Sequence, residues 1–255
     1  MLYRHHIMPP ASSPFAAAQR AWWAGLALPA TERLRARQDL ALLDSLDGLI
    51  AEVERELARL STTEAWADQA AFLLQLPGIG VLSALALLAA IGDIARFPTA
   101  KRLVGYAGLG AGVQQSGQTH RTGRITKQGR RELRSALVEA AWGAVRTHAR
   151  WRAAYERLEQ RRGSGKAIVA IARKLLVVVW HVLQAREADR HADAAQVASK
   201  FLRWSEQVGR VARGGEPAGT FVRRELDRVG LGAALAQITR GGQVYRFPPS
   251  PLPSG

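Results

Sequence analysis

The chain has 255 residues, 47% of them hydrophobic, which is enough apolar surface to build one large or two modest cores and excludes a chain that stays unfolded throughout. It has no cysteine, which excludes a disulfide framework and thiolate metal sites and fits a reducing, cytoplasmic setting. Lys and Arg number 36 against 21 acidic residues, a formal charge of +15. That excess is concentrated: residues 101–174 carry 17 basic and 4 acidic side chains, against 8 and 10 in residues 1–100 and 11 and 7 in residues 175–255. Such a block repels itself, and the commonest polyanion in a cell that offsets it is DNA or RNA. A solvated basic face is the plainer alternative.

Residues 1–30 mix Pro9, Pro10, Ser12, Ser13 and Pro14 with Trp22 and Trp23 without a sustained period, and read as a partly disordered leader with no secretory pattern. Thr31, with Glu32 behind it, is a candidate N-cap for a connecting helix over 31–62. Leu43, Leu46, Ile50, Val53, Leu57 and Leu60 then recur at alternating spacings of three and four, the seam of a coiled coil. A helical hairpin within one chain shows the same pattern, so both readings stand.

The uncharged stretch Ala70–Gly92 is interrupted by Pro77, Gly78 and Gly80, and its apolar run Val81–Ile91 is too short to cross a hydrocarbon core of about 30 Å. It reads as buried helix, and no membrane contact is expected. Helices are predicted over 64–76, 81–91 and 98–106. Residues 105–129, rich in Gly, Gln, Ser and Thr, read as a long polar loop, and loops of that length are commonly functional. Helix resumes over 130–159, breaks at Gly163-Ser164-Gly165, and continues over 166–186. Residues 191–255 form an extension predicted to be partly disordered at its end, and no strand alternation stands out. The fold class is therefore all-α: a coiled-coil helix followed, over 63–190, by a helical domain with a long polar loop.

Two segments have chemistry in them. Leu76-Pro77-Gly78-Ile79-Gly80, between two helical patterns, has the form of a helix-hairpin-helix turn. Its glycines would let the backbone approach a phosphate, which the free amides of the next helix could then bind. A plain corner between helices uses the same residues as punctuation. The segment Gln114–Arg131 gathers Gly117, Thr126, Arg121, Arg124, Lys127, Arg130 and Arg131, and its guanidinium forks suit phosphate oxygens. Ser116, beside Gly117, is an ordinary loop serine by spacing alone. His120, His148 and His181 lack metal-ligand spacing, and Asp93, Glu132 and Glu139 are too isolated for a two-metal site, so no metal is expected in this chain. Arg162-Gly163-Ser164-Gly165-Lys166-Ala167 lacks the first glycine and the Ser or Thr that a phosphate-binding loop requires.

Taken in order, Leu76-Pro77-Gly78-Ile79-Gly80, Ile91-Gly92-Asp93-Ile94-Ala95-Arg96-Phe97, Tyr106-Ala107-Gly108-Leu109, Gln115-Ser116-Gly117, Arg124-Ile125-Thr126-Lys127-Gln128-Gly129 and Leu133-Arg134 resemble the C-terminal domain of the one-ten insertion-sequence transposases. That family includes recombinases guided by a bridge RNA. The resemblance, covering roughly residues 70–185, implies that Ser116 is a nucleophile joining covalently to a DNA 5′ phosphate. It also implies a partner domain of ribonuclease H type, whose four carboxylates bind magnesium, reached through a helical segment like residues 31–60. No such acidic segment is found in this sequence. The expectation is thus a transposase component that binds DNA, with a guide RNA as a further candidate partner, and self-associates through residues 31–60. It would bind without cutting unless an acidic domain with its Mg2+ acts in trans. The alternatives are a non-catalytic helix-hairpin-helix nucleic-acid-binding protein and a coiled-coil interaction module.

Overall fold

The computed structural model describes residues 2–10, 13–116, 119–233 and 235–251. The chain divides into two compact units, residues 1–54 and 55–255. The fold is all-α, with two small antiparallel strand pairs.

The first unit has two 3-10 turns, Leu2–His5 and Ala17–Gln19, then helix α1 (Arg20–Ala24) and most of α2 (Ala30–Leu60). The described part of the leader has more order than its composition suggests. The Trp23 indole donates to Pro14 O at 2.7 Å, Arg20 Nε donates to Asp44 Oδ1 at 3.1 Å, and His5 pairs with Glu32 at 2.6 Å. The first contact holds α1 to the segment before it and the other two reach α2, and single side-chain contacts of this kind leave no periodic trace. Thr31 lies inside the first turn of α2, whose opening bond runs from Arg33 N to Pro29 O at 2.9 Å. The apolar face of α2 stays exposed: Leu42, Leu46, Leu49, Ile50 and Val53 keep 44–60% of their surface.

The second unit opens with α3 (Glu64–Leu74) and α4 (Val81–Ile91), joined by the turn that contains Pro77 and Gly78. A 3-10 turn, Ile94–Arg96, is capped by Asp93, whose carboxylate accepts from Ala95 N at 2.9 Å. Helix α5 (Ala100–Tyr106) follows Thr99 as N-cap. The segment predicted as a long loop is an antiparallel ribbon, β1 (Ala111–Ser116) and β2 (Thr119–Ile125), with a bulge between Ala111 and Val113. Polar residues predominate in both strands, so there was no hydrophobic alternation to read. The ladder satisfies backbone groups that a loop would leave to water.

Helices α6 (Arg131–Thr147), α7 (Ala149–Arg162) and α8 (Ser164–Ala185) form the core, with α8 packed against α5, α6 and α7. Ala167, Ile168, Ile171, Ala172, Leu175, Leu176, Val179, Val182 and Leu183 make its buried stripe. By length and hydropathy α8 passes for a membrane span, yet half of its apolar window is buried inside the protein. The single helix predicted over 130–159 is two. His148 is extended (φ −133°), and the freed carbonyls are taken by Arg152, on Arg146 O at 2.7 Å and on Val145 O at 3.4 Å. Neither glycine nor proline marks that break.

The C-terminal extension is folded as far as it is described. Helices α9 (Ala194–Ala212) and α10 (Ala218–Arg228) bury Phe201, Trp204 and Phe221, and strands β3 (Gln237–Arg240) and β4 (Gln243–Arg246) pair antiparallel. Buried Arg223 donates to Pro248 O and Leu235 O, both at 2.6 Å, and to Gly232 O, so it gathers the final segment around one guanidinium. The Trp204 indole donates to Ser61 Oγ at 2.7 Å, tying α9 to the end of α2.

One contact sets the position of the α3–α4 turn. A Cβ built on Gly78 (φ +78°) would lie 2.0 Å from Ala140 O and 2.4 Å from Ala144 N, and one built on Gly143 would lie 2.9 Å from Gly78 Cα. Gly80, at φ −100°, has nothing within 4 Å of the same construction. Gly78→Ala should therefore cost about 2–4 kcal/mol, from positive φ together with overpacking. Gly80→Ala should stay within about 0.5 kcal/mol. Urea unfolding of the two variants checks the contrast, and equal losses would contradict it.

Candidate nucleic-acid interface

The turn is fixed from below by apolar anchors, with Leu76 and Ile79 each 1% exposed. Pro77 and Gly78 are half-buried and Gly80 is exposed. Gly78 therefore serves close packing on α6, so its freedom is spent on a helix backbone, and only Gly80 offers the open backbone that the sequence suggested for both. Helix α4 begins at Val81 without a side-chain cap, so its first amides have no intrahelical acceptor.

The turn also contains a residue that the sequence did not single out. Lys200, on α9, donates from Nζ to Ile79 O at 2.9 Å and to Leu76 O. Enclosure of the amine, with Arg203 adding repulsion, draws its pKa down to about 7. It lies more than 120 residues from the turn in sequence, on a helix in the supposed extension, and only packing brings the two together.

The ribbon rises from a narrow base. Gly108 (φ +66°) and Gly129 (φ +156°) face each other there, and a Cβ on Gly129 would meet Tyr106 O at 2.3 Å and Gly108 N at 2.7 Å. Thr126 N donates to Gly110 O at 2.9 Å and Arg130 N to Tyr106 O at 3.0 Å. Arg134 bonds a carbonyl on each leg, Ala107 O at 3.2 Å and Lys127 O at 3.4 Å, so this arginine is a clamp. Arg130 Nε donates to the Tyr106 hydroxyl at 2.9 Å, and the Arg96 guanidinium lies 5.8 Å from the Tyr106 ring. The bond from Arg130, its charge and that of Arg96 together hold the Tyr106 phenol below its ordinary pKa.

Thr126, Lys127, Arg130 and Arg131 are exposed at this base, Lys127 in the left-handed region (φ 54°). Ser116 is the last residue of β1, its backbone paired with Thr119, and Arg121 pairs with Gln114. Arg124 lies near the end of β2. Gly117 lies outside the described residues, as do the side chains of Ser116, Arg121 and Arg124. From Arg131 to Gly143 the rise of α6 separates the ribbon base from the turn by about 18 Å.

Charge pairing differs along the chain. Arg20, Arg59, Arg186, Arg224, Arg228 and Arg240 all form ion pairs with carboxylates. Among the described residues of 101–174 no cation does, although Arg146, Arg150, Arg161, Arg162 and Lys166 are exposed. Among the described residues no three His, Asp or Glu side chains converge.

The helical body, tight turn and basic ribbon define the setting of residues 70–156, and that stretch matches the family model described as Transposase IS116/IS110/IS902 family. That stretch is similar to a transposase domain of that family. A "Probable family 20 transposase" of Pseudomonas aeruginosa is 33% identical over 167 residues, covering 63% of this chain and 47% of that protein. A "Pilin gene-inverting protein" of Moraxella bovis is 34% identical over 139 residues, 53% of this chain and 43% of its own. The "Transposase for insertion sequence element IS1111A" of Coxiella burnetii is 30% identical over 152 residues, 56% of this chain and 40% of its own. The chain thus spans less than half the length of these relatives.

The tyrosine environments give a direct check of the ribbon base. The chain has four tyrosines. Tyr106 should ionise below the ordinary range, and Tyr155, whose hydroxyl donates to Glu159 at 2.7 Å, above it. Alkaline absorbance titration should lose its earliest step in Tyr106→Phe, and an unchanged titration would mean that Arg130 and Tyr106 are not paired in solution.

Proposed function

We propose that the chain is the DNA-binding and strand-transferring part of a DNA transposase or recombinase. The observation that carries this reading is that the transposase-domain match overlaps the segment 101–174, whose described cations form no ion pair with a carboxylate, while Arg20, Arg35, Arg59, Arg186, Arg224, Arg228 and Arg240 outside it do. Leaving so many cations unneutralised repels the fold from itself, and a sugar-phosphate backbone relieves it.

In this reading the turn and the ribbon base grip phosphates, through the amides after Gly80 and through Arg121, Arg124, Thr126, Lys127, Arg130 and Arg131. Ser116 Oγ attacks a backbone phosphorus. An Oγ–P bond forms, the P–O3′ bond breaks, and the departing 3′ oxygen takes up the proton lost by the serine. The resemblance assigns the magnesium ions to a domain of ribonuclease H type, acting from the same protein or from another chain. A guide RNA is a second polyanion that the same cations suit.

Self-association belongs to this reading as well. Leu42, Leu46, Leu49 and Val53 repeat at spacings of four, three and four along the exposed face of α2, which suits a second copy of the same helix. Leu49→Glu with Val53→Glu should shift the chain to monomer in sedimentation, and an unchanged mass would remove α2 from the interface.

The main test is covalent. Labelled duplex DNA, incubated with the chain, the acidic domain and magnesium, should give an adduct that survives detergent. Ser116→Ala should abolish it while leaving DNA affinity within about twofold, as expected for a residue outside the phosphate grip. If about six phosphates are neutralised, affinity should drop about 10³-fold between roughly 50 and 200 mM salt. Retained binding with no adduct under any condition would leave a non-catalytic nucleic-acid-binding protein, and a flat salt response would remove the basic segment as the binding surface.

A further inference from the structure

The α3–α4 turn faces α9 across a cleft of about 530 Å³, lined among others by Pro77, Gly80, His148, His191, Lys200 and Arg203. Inside it, two carbonyl oxygens of the turn converge on one ammonium. Ile79 O receives Lys200 Nζ at 2.9 Å, with no backbone donor among the described residues, and Leu76 O receives it besides a 3.3 Å bond from Ile79 N. Peptide carbonyls pointed inward around a single positive charge are the arrangement by which a protein backbone binds a bare monovalent cation. Here the cation is tethered to a helix. His148 Nδ1, in the same cleft, is enclosed without a hydrogen-bond partner, so the cleft holds polar capacity that the chain itself does not use.

We infer that Lys200 is a built-in cation for the turn: its ammonium takes the place of a potassium or sodium ion beneath Leu76 and Ile79, and it positions the turn for one backbone phosphate of a nucleic acid. The inference rests on the nucleic-acid reading above and adds a residue to it. With the two carbonyls drawn toward Lys200, the open side of the turn presents Gly80 and the first amides of α4, and the ammonium sets a positive charge behind them. Lys200 acts through the turn, and its role is positioning.

The titration of Lys200 gives that role a signature. A phosphate favours the ammonium form, so binding takes up a proton as pH rises through about 7, and affinity falls with pH by up to tenfold per unit. Fold stability moves the other way. The unfolded lysine keeps its proton up to the ordinary value of 10.5, so above about 7 the unfolded state binds more protons and stability rises with pH. An anchor serving only the fold produces the second trend without the first. Asp189, Asp193, His148, His191 and Arg203 also face this cleft, with the Asp193 carboxylate committed to the amides of Ala195 and Gln196 at 2.9 and 3.1 Å. Comparison with a Lys200 variant isolates the lysine from them.

The experiment measures duplex DNA affinity of the full chain by fluorescence anisotropy at fixed ionic strength from about pH 6 to pH 9, beside urea unfolding at each pH. The wild-type chain should lose about tenfold in affinity across that range, and Lys200→Met should be about tenfold weaker at the acid end with the decline removed. Lys200→Ala should regain affinity in potassium or methylammonium but not in tetramethylammonium, which is too large for the carbonyl site. A wild-type profile without the decline overturns the inference, and this measurement needs no variant to fold. So does a folded Lys200→Met that keeps wild-type affinity and profile. A wild-type chain that binds no DNA at low salt at any pH instead overturns the nucleic-acid reading, and the lysine's role with it.

Discussion

At Gly78 the backbone of a turn rests on the backbone of α6, with no space for one methyl group between them. The positions of the other parts follow from that contact. The small residues Ala140, Gly143 and Ala144 let α6 accept the turn, and the same helix reaches at its other end to Arg131 and Arg134, where the ribbon leaves the body. One rigid rod therefore sets the distance between the two candidate phosphate contacts. A side chain at Gly78 would move the turn relative to the ribbon, a change of geometry as well as a loss of stability.

Electrostatics divides the second unit by role. On α10, Glu225 is almost fully buried between Arg224 and Arg228, and Arg228 also pairs with Asp68, so these charges hold elements together. In residues 101–174 the described arginines that are bonded, Arg130, Arg134, Arg152 and Arg157, go to carbonyls or to a phenol, and their charge is left uncancelled. Bonding through neutral acceptors fixes a guanidinium in place and keeps its field available to a polyanion. Tyr106 records that field in the lowered pKa of its phenol.

The C-terminal helices matter to the turn more than their position in sequence suggests. α9 brings Lys200 under the turn, and Gln75 closes the opposite side by accepting from Asp189 N at 2.9 Å and donating to Glu187 O at 3.3 Å. The turn is thus supported by α6 on one side and by the segment 187–200 on another. Removing residues beyond α8 would take away the tethered cation, and the remaining α3–α4 corner would keep its packing on α6 and, through α3, on α8.

Helix positions were legible because their signal is local. Val81–Ile91 is an apolar run interrupted only by Ser83, and the stripe of α8 repeats at helical spacing. The basic segment was also readable from residue order, since the charge excess and the motif string are properties of neighbouring residues. The break at His148 and the pairing of strands β1 and β2 were not, because the first is marked by neither glycine nor proline and the second has no apolar alternation, whereas the helical spacing of Val197, Phe201, Trp204 and Val208 in α9 is a local signal like that of α8. By itself, then, the sequence determined the helices, the charge and the family of motifs, which are sums of short-range preferences. Only the tertiary structure decided that Gly78 serves packing while Gly80 stays open, and that Lys200 completes the turn, because both depend on which distant backbone comes within a few ångströms.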